Sequence, residues 1–383
     1  MNGDELSFVQ EALNTNWVAP KGDNIDNFEK EIAQITDSPF AIALNSGTAA
    51  IHLALKLLGV TQGDFVLVQS LTFCASANPV VYCGATPVFI GSEKETWNMC
   101  PTVLERALVT LQSENLLSRV KAIIPVYLFG MPPKMRELMN LSKRFGIPII
   151  EDAAEALGST FGNRAAGSLA GLGILSFNGN KIVTTSGGGM LLTNNKAYAD
   201  RCLNLATQAR EDKPYYSHVE IGYNYRLSNI SAGIRRGQLT SLNDRIMARR
   251  SNFLRYKLLL DRLSEQFPFR YSYQSENSDR YSNRWLSSFQ FEATNQSKGT
   301  LAEHIIASMR KLNIEASYIW KPLHMQEVFK DCMYFGTNHT GKLFKNGVCF
   351  PSGTNLSEHD WQYIISSLST AIENYFTPSS SND

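Results

Sequence analysis

From Phe40 onward, short apolar runs alternate with amphipathic stretches. FAIAL (40–44) leads into NSGTAAIHLALKLLG, which reads as a helix with Ser46 near its start and Gly59 near its end. Strand-like runs follow at FVLVQS (65–70), TPVFIG (86–91), KAIIPVY (121–127), IPIIED (147–152) and GILSFN (173–178). Helical segments such as PPKMRELMNLSKRFG (132–146) separate most of them. Strands alternating with helices predict an α/β fold with a mainly parallel, doubly wound sheet. Ligands of such sheets lie at the carboxyl ends of the strands, which singles out the loops beginning at Asn45, Ser70, Glu151 and Ser176.

Ahead of this rhythm, the segment from Asp4 to Asn16 places Leu6, Val9 and Leu13 on one helical face, with Asp4 available as a cap. A second amphipathic segment begins near Ile25. After about residue 245 the texture changes. RIMARRSNFLRYKLLLDRLSEQF reads as one long helix, followed by strand-like WLSSFQFEA (285–293), a helix near 299–312, the apolar VCFP (348–351) and a terminal helix, DWQYIISSLSTAIENYF. The chain exceeds the roughly 250–300 residues at which a single core stops growing. A large domain with an N-terminal helical arm is therefore expected over 1–245, and a smaller α+β domain over 246–383, with the tail TPSSSND fraying.

Composition narrows the function classes. A 43% hydrophobic and 19% charged chain with net charge +1 and no run of like charges offers no face for nucleic acid. The six cysteines lack CxxC spacing and read as free, mostly buried thiols of a reducing compartment, Cys74 included. No metal site is expected. No stretch approaches the roughly 20 apolar residues that span a bilayer, and MNGDELSFVQEAL lacks a basic start with an apolar run behind it. A cytoplasmic protein without a membrane partner is expected.

Three strand-end segments could carry chemistry. Asn45-Ser-Gly-Thr48 opens a helix whose free amides and dipole can hold a phosphate, although the same pattern is ordinary capping sequence. Asp152 ends an apolar strand, where a carboxylate needs a cationic partner; it equally suits a helix N-cap. Lys181 follows the next strand, in SFNGNKIVTTSGGG, amid small polar residues where a desolvated amine could form a Schiff base. Gly187–Gly189 does not form a P-loop, because Lys181 precedes it; a tight turn and close backbone approach fit better. A phosphate cradle, an acid for a ring nitrogen and a lysine for an aldehyde together describe a pyridoxal-phosphate site.

NSGTAAIHLAL, GDFVLVQSLTFCASANPVVYCGATPVF, KAIIPVYLFG, EDAAEALGS, SFNGNKIVTTSGGGML and GYNYRLSN resemble the DegT/StrS family of sugar-nucleotide aminotransferases over nearly the whole chain. ATQARE (206–211), SNRWLS (282–287) and IWKPLHMQEVFKD (319–331) resemble a narrower branch, which aminates the 4-keto group of UDP-linked 2-acetamido-2,6-dideoxy-4-hexulose. The resemblance implies the fold-type-I aminotransferase architecture, a homodimer with shared active sites, and L-glutamate and a nucleotide-linked keto sugar as substrates. Pyridoxal 5'-phosphate would be the cofactor, with pyridoxamine phosphate as its amino-carrying form. By the same resemblance Lys181 and Asp152 are the catalytic pair. Gly47, Thr48 and Ser176 match phosphate positions, with Asn178 beside them, and Asn224 matches an asparagine lent by the neighbouring subunit. Phe73 and Ala154 match the two faces of the ring, and Glu155 a polar position near it. Arg210, Arg284, Trp285, Lys321 and His324 are the implied substrate contacts.

Phe73 and Trp285 would also suit a core, and His324 a structural role. Arg235, in SAGIRRGQ, stands where small residues are usual, and Ser317 where close relatives carry an arginine. Three other readings compete for these residues. A dehydratase of the same fold would carry histidine in place of Lys181. A non-catalytic regulator would not need Lys181 and Asp152 together. A nicotinamide enzyme would need a G-x-G-x-x-G after the first strand, which the sequence lacks. Amination of a GDP- or dTDP-linked 3- or 4-keto sugar is the nearest alternative within the family.

Overall fold

The computed structural model describes residues 1–293 and 299–377; most of the tail TPSSSND lies outside them. Its centre is a sheet built from β1 (Phe40–Leu44), β2 (Phe65–Gln69), β3 (Thr86–Ile90), β4 (Val120–Ile124), β5 (Ile150–Asp152), β6 (Leu172–Ser176) and β7 (Gly189–Thr193). The strands lie in the order β3-β2-β4-β5-β6-β7-β1, and the short strand Tyr334–Phe335 pairs in parallel beyond β3. Backbone bridges between Ile123 and Ile149 and between Val126 and Asp152 join the β4 and β5 sides. Only β7 runs against its neighbours β6 and β1; the other pairings are parallel. β2 and β7 are buried along their whole length, which is why their apolar runs are continuous rather than alternating.

The sheet corrects two expectations. β7 was not foreseen, because its first residue belongs to the Gly187–Gly189 run that reads as a turn. Helix α1 (Glu5–Asn14) forms, but Asp4 makes no side-chain cap; the Glu5 carboxylate instead accepts from the amides of Asn2 (3.0 Å) and Gly3 (2.9 Å). Leu6 and Leu13 are exposed, and α1 packs through Glu5, Phe8 and Ala12. The remaining helices follow their patterns. α2 (Asp23–Thr36) buries Ile25, Phe28 and Ile32, and the alanine-rich α3 (Gly47–Leu57) lies flat beside the sheet with Ser46 as its cap.

A second core gathers Phe253, Tyr256, Phe289, Phe291, Ile305, Phe350, Trp361 and Leu368. It joins the helices Leu242–Gln266, Leu301–Lys311 and Glu358–Phe376 to an antiparallel sheet of Phe269–Ser272, Ser287–Ala293, Gly347–Phe350 and Ser317–Tyr318. Two capping boxes, Thr300 with Glu303 and Ser357 with Asp360, fix where the last two helices begin. Other residues of this half reach back to the first: Arg280–Tyr281 pairs with Thr160–Phe161 in a small separate sheet, and Leu323 and Phe329 enter the core around α3. Of the six cysteines, only Cys202 and Cys349 are fully buried, fewer than expected.

Candidate active site

The carboxyl ends of the parallel strands open on a cavity of about 240 Å³. Of the residues named from sequence, Gly47, Thr48, Phe73, Asp152, Ala154, Glu155, Ser176, Asn178, Lys181 and Trp285 line it. Each arrives by a local rule. Ser46 caps α3 by accepting from the Ala49 amide (3.0 Å), which leaves the first-turn amides of Gly47 and Thr48 facing the cavity end of the helix. A Cβ on Gly47 would come within 3.1 Å of Ser176 Cβ, so the absent side chain is what lets the helix start approach the end of β6. Gly188, at φ +131°, bridges to Ser46, and a Cβ on Gly189 would overlap the Ser46 and Gly47 backbone. The glycine run permits this close approach.

Asp152 ends β5 with its side chain buried. Its carboxylate accepts from Ser76 Oγ (2.6 Å) and the Ala154 amide (3.2 Å), and Ser76 in turn meets Thr72 Oγ1 at 2.9 Å. Burial raises its pKa; the Ser76 bond, the Ala154 amide and the charge of Lys181 pull less strongly the other way. Lys181 follows the turn Asn178–Lys181, closed by the Lys181 amide donating to the Asn178 carbonyl (2.9 Å). Its amine donates to Glu155 (3.3 Å) and lies 4.0 Å from the centre of a Trp285 ring. Glu155 is buried, accepts from the Phe129 amide (2.7 Å), and is raised by burial despite Lys181. Trp285 is both core and lining: it is 1% exposed, packs with Phe129, and donates Nε1 to the Asn180 carbonyl (2.8 Å).

Five named residues lie elsewhere. The Arg284 guanidinium is buried against Glu276 (3.1 Å), the Gln274 carbonyl (2.8 Å) and the Phe253 ring (4.0 Å). His324 is held by Ser70 Oγ (2.6 Å) and stacked on Tyr334, with centroids 3.6 Å apart. Both were expected as substrate contacts; neighbours within the chain hold them, and neither lines the cavity. Arg210 is exposed over Tyr216, and Lys321 is exposed next to Trp320. Asn224 is exposed on a segment paired with Thr207, outside this chain's own cavity. Sequence reasoning missed Thr72, Ser76, Asn180 and Trp320, all of which line the cavity. Thr72 and Ser76 follow Ser70, a loop start the strand-end rule had marked.

A sequence model of the DegT/DnrJ/EryC1/StrS aminotransferase family matches residues 1–369. The chain belongs to this family. A Bacillus subtilis (strain 168) protein named "Putative pyridoxal phosphate-dependent aminotransferase EpsN" is 44% identical over 96% of this chain and 93% of its own. The GDP-perosamine synthase of Escherichia coli O157:H7 is 33% identical over 96% of this chain and 95% of its own. The crystal structure of a family aminotransferase from Brucella abortus superposes with a TM-score of 0.86 at 26% identity, covering 96% of this chain and 95% of that one. The protein is thus a pyridoxal-phosphate-dependent sugar aminotransferase with the fold-type-I architecture. Among the described residues no helix is long and apolar enough to cross a membrane.

Proposed function

We propose that this enzyme moves an amino group from L-glutamate to the 4-keto carbon of a nucleotide-linked hexulose, with UDP-2-acetamido-2,6-dideoxy-4-hexulose as the first candidate. One observation carries the site reading: the amine of Lys181, the buried carboxylate of Asp152 and the start of α3 line one cavity. The lining fits pyridoxal phosphate. Gly47, Thr48, Ser176 and Asn178 offer amides and hydroxyl or amide groups to a phosphate, and Gly47 lets the start of α3 sit close against Ser176. Phe73 and Ala154 supply apolar walls for the ring. Asp152 is a buried carboxylate to which a protonated ring nitrogen would bring the missing cation.

When bound, the cofactor supplies an aldehyde that takes up amines and a ring that accepts electrons from the adjoining carbon. Lys181 moves a proton at Nζ, as base in one half-reaction and as acid in the other. Glu155 holds that amine beside the Trp285 ring, and Ser76 with the Ala154 amide aims the Asp152 carboxylate. A second copy of the chain completes the site with Asn224, so the working unit is a homodimer in the cytoplasm. Arg210 and Lys321 are kept as nucleotide-sugar contacts on the family resemblance, and the Trp320 ring adds to the cavity wall. Residues 1–245 and 246–383 act as the two domains that frame it.

The UDP-sugar reading rests on ATQARE, SNRWLS and IWKPLHMQEVFKD. A second reading, a GDP-linked 4-keto-6-deoxy sugar, is favoured by the relatives named GDP-perosamine synthase. Purified enzyme with pyridoxal phosphate and L-glutamate, offered UDP-, GDP- and dTDP-linked 3- and 4-keto sugars, decides by the mass of the products. Amination of the UDP-linked acetamido 4-keto sugar supports the first reading. Amination of the GDP-linked sugar alone replaces it with the second, and amination of only a 3-keto sugar overturns both.

A further inference from the structure

Arg235 lies on the helix Asn229–Leu239 and is 0% exposed, yet no carboxylate pairs with it among the described residues. Its neighbours are paired: Arg226 with Glu29 (2.6 Å) and Arg236 with Glu31 (2.8 Å). Arg235 donates Nη2 to the Gly187 carbonyl, while Nε and Nη1 find no hydrogen-bond partner among the described residues. The Phe177 and Phe28 rings, 5.2 and 5.8 Å away, also face the cation. Burial accordingly pulls it down to about 9, with no carboxylate acting to hold it up. A fully buried cation in this condition is destabilising unless a counter-charge is near.

Its position says where that counter-charge arrives. A Cβ on Gly188 would overlap Arg235 Nη2, so the guanidinium lies directly behind Gly188. Gly187 and Gly188 themselves line the cavity together with Ser46, Gly47 and Ser176. Gly188 also bridges to Ser46, the cap of α3. The cation therefore stands one backbone layer behind the phosphate cradle, in surroundings where charges are weakly screened.

We propose that Arg235 is a buried counter-charge for the cofactor phosphate, acting through the Gly187–Gly188 backbone without lining the cavity. The inference rests on the phosphate-cradle reading given above. It makes Arg235 a positioning residue for the anion end of the cofactor, in a place where the family usually has a small residue. Binding and stability are coupled: the phosphate relieves a charge that burdens the cofactor-free protein.

The test titrates full-length protein, stripped of cofactor, with pyridoxal phosphate and with pyridoxal, and records melting temperatures with and without inorganic phosphate. Arg235→Met should weaken pyridoxal phosphate by about tenfold or more and leave pyridoxal within about twofold. The stripped Met variant should melt above the stripped wild type, and inorganic phosphate should raise its melting temperature less. Arg235→Lys should recover most of the pyridoxal phosphate affinity. Arg235→Gln, which keeps a donor for the Gly187 carbonyl, gives the same reading should the Met variant fail to fold. Unchanged pyridoxal phosphate affinity, or equal loss for both ligands, overturns the inference. A wild type that binds both ligands equally would instead overturn the cradle.

Discussion

Removing the Ser76 hydroxyl probes how the chain tunes Asp152. Ser76 Oγ donates to the Asp152 carboxylate at 2.6 Å with both groups buried, and it is the strongest influence opposing the upward push of burial. Hydrogen bonds to charged groups contribute about 1.5–3 kcal/mol, so losing this one leaves the upward push of burial less opposed. Ser76→Ala removes a contribution that favours the charged carboxylate, so the Asp152 pKa rises. Fewer molecules then hold the carboxylate that pairs with a protonated ring nitrogen. In single-turnover reactions with L-glutamate followed by absorbance, the acidic limb of the pH profile should move to higher pH. The rate at neutral pH should fall about tenfold. Thr72→Ala, one step further out, should move the same limb less. An unmoved limb with a rate within about twofold of wild type would refute this reasoning.

The same burial predicts an unusual pH dependence of stability. Asp152 and Glu155 are raised above their ordinary values, so the folded, cofactor-free protein keeps protons that the unfolded chain has released. Their contribution is largest below the ordinary carboxylate pKa of about 4 and is lost as pH rises through the raised values; Asp152→Asn should flatten this slope in urea titrations. Gly189→Ala should lower stability by about 3 kcal/mol, because its Cβ meets Ser46 and Gly47 backbone, and denaturant melts report it. Arg284→Met should lower stability by about 3 kcal/mol and leave the KM for the sugar nucleotide unchanged. A raised KM with intact stability would return Arg284 to the substrate. Lys181→Ala should keep the fold and cut transamination by about 10²–10⁴ in product assays.

Periodicity and the strand-end rule located most of the site. Asp152, Ser176 and Lys181 each sit at or just past the end of an apolar strand, where a doubly wound sheet presents its ligand. β7 escaped because its burial is visible only once β6 and β1 flank it, while its first residue looks like part of a turn. Ser76 and Trp320 escaped for a different reason. Their roles come from contacts with segments far away in sequence, Asp152 for one and Phe73 and Phe129 for the other. Arg284 shows what a local motif leaves out. A cation inside a substrate-like motif reads as a ligand, and nothing in the local pattern reveals that Glu276 and Gln274 fold back to hold it. Leu6 and Leu13 share one face of α1, and both are exposed there.

Reduction of the pyridoxal-phosphate-loaded protein with borohydride, followed by peptide mapping, locates the amine that engages the aldehyde. The account requires the label on Lys181 and its loss in Lys181→Ala. A label on any other lysine, with Lys181 unmodified, would contradict it.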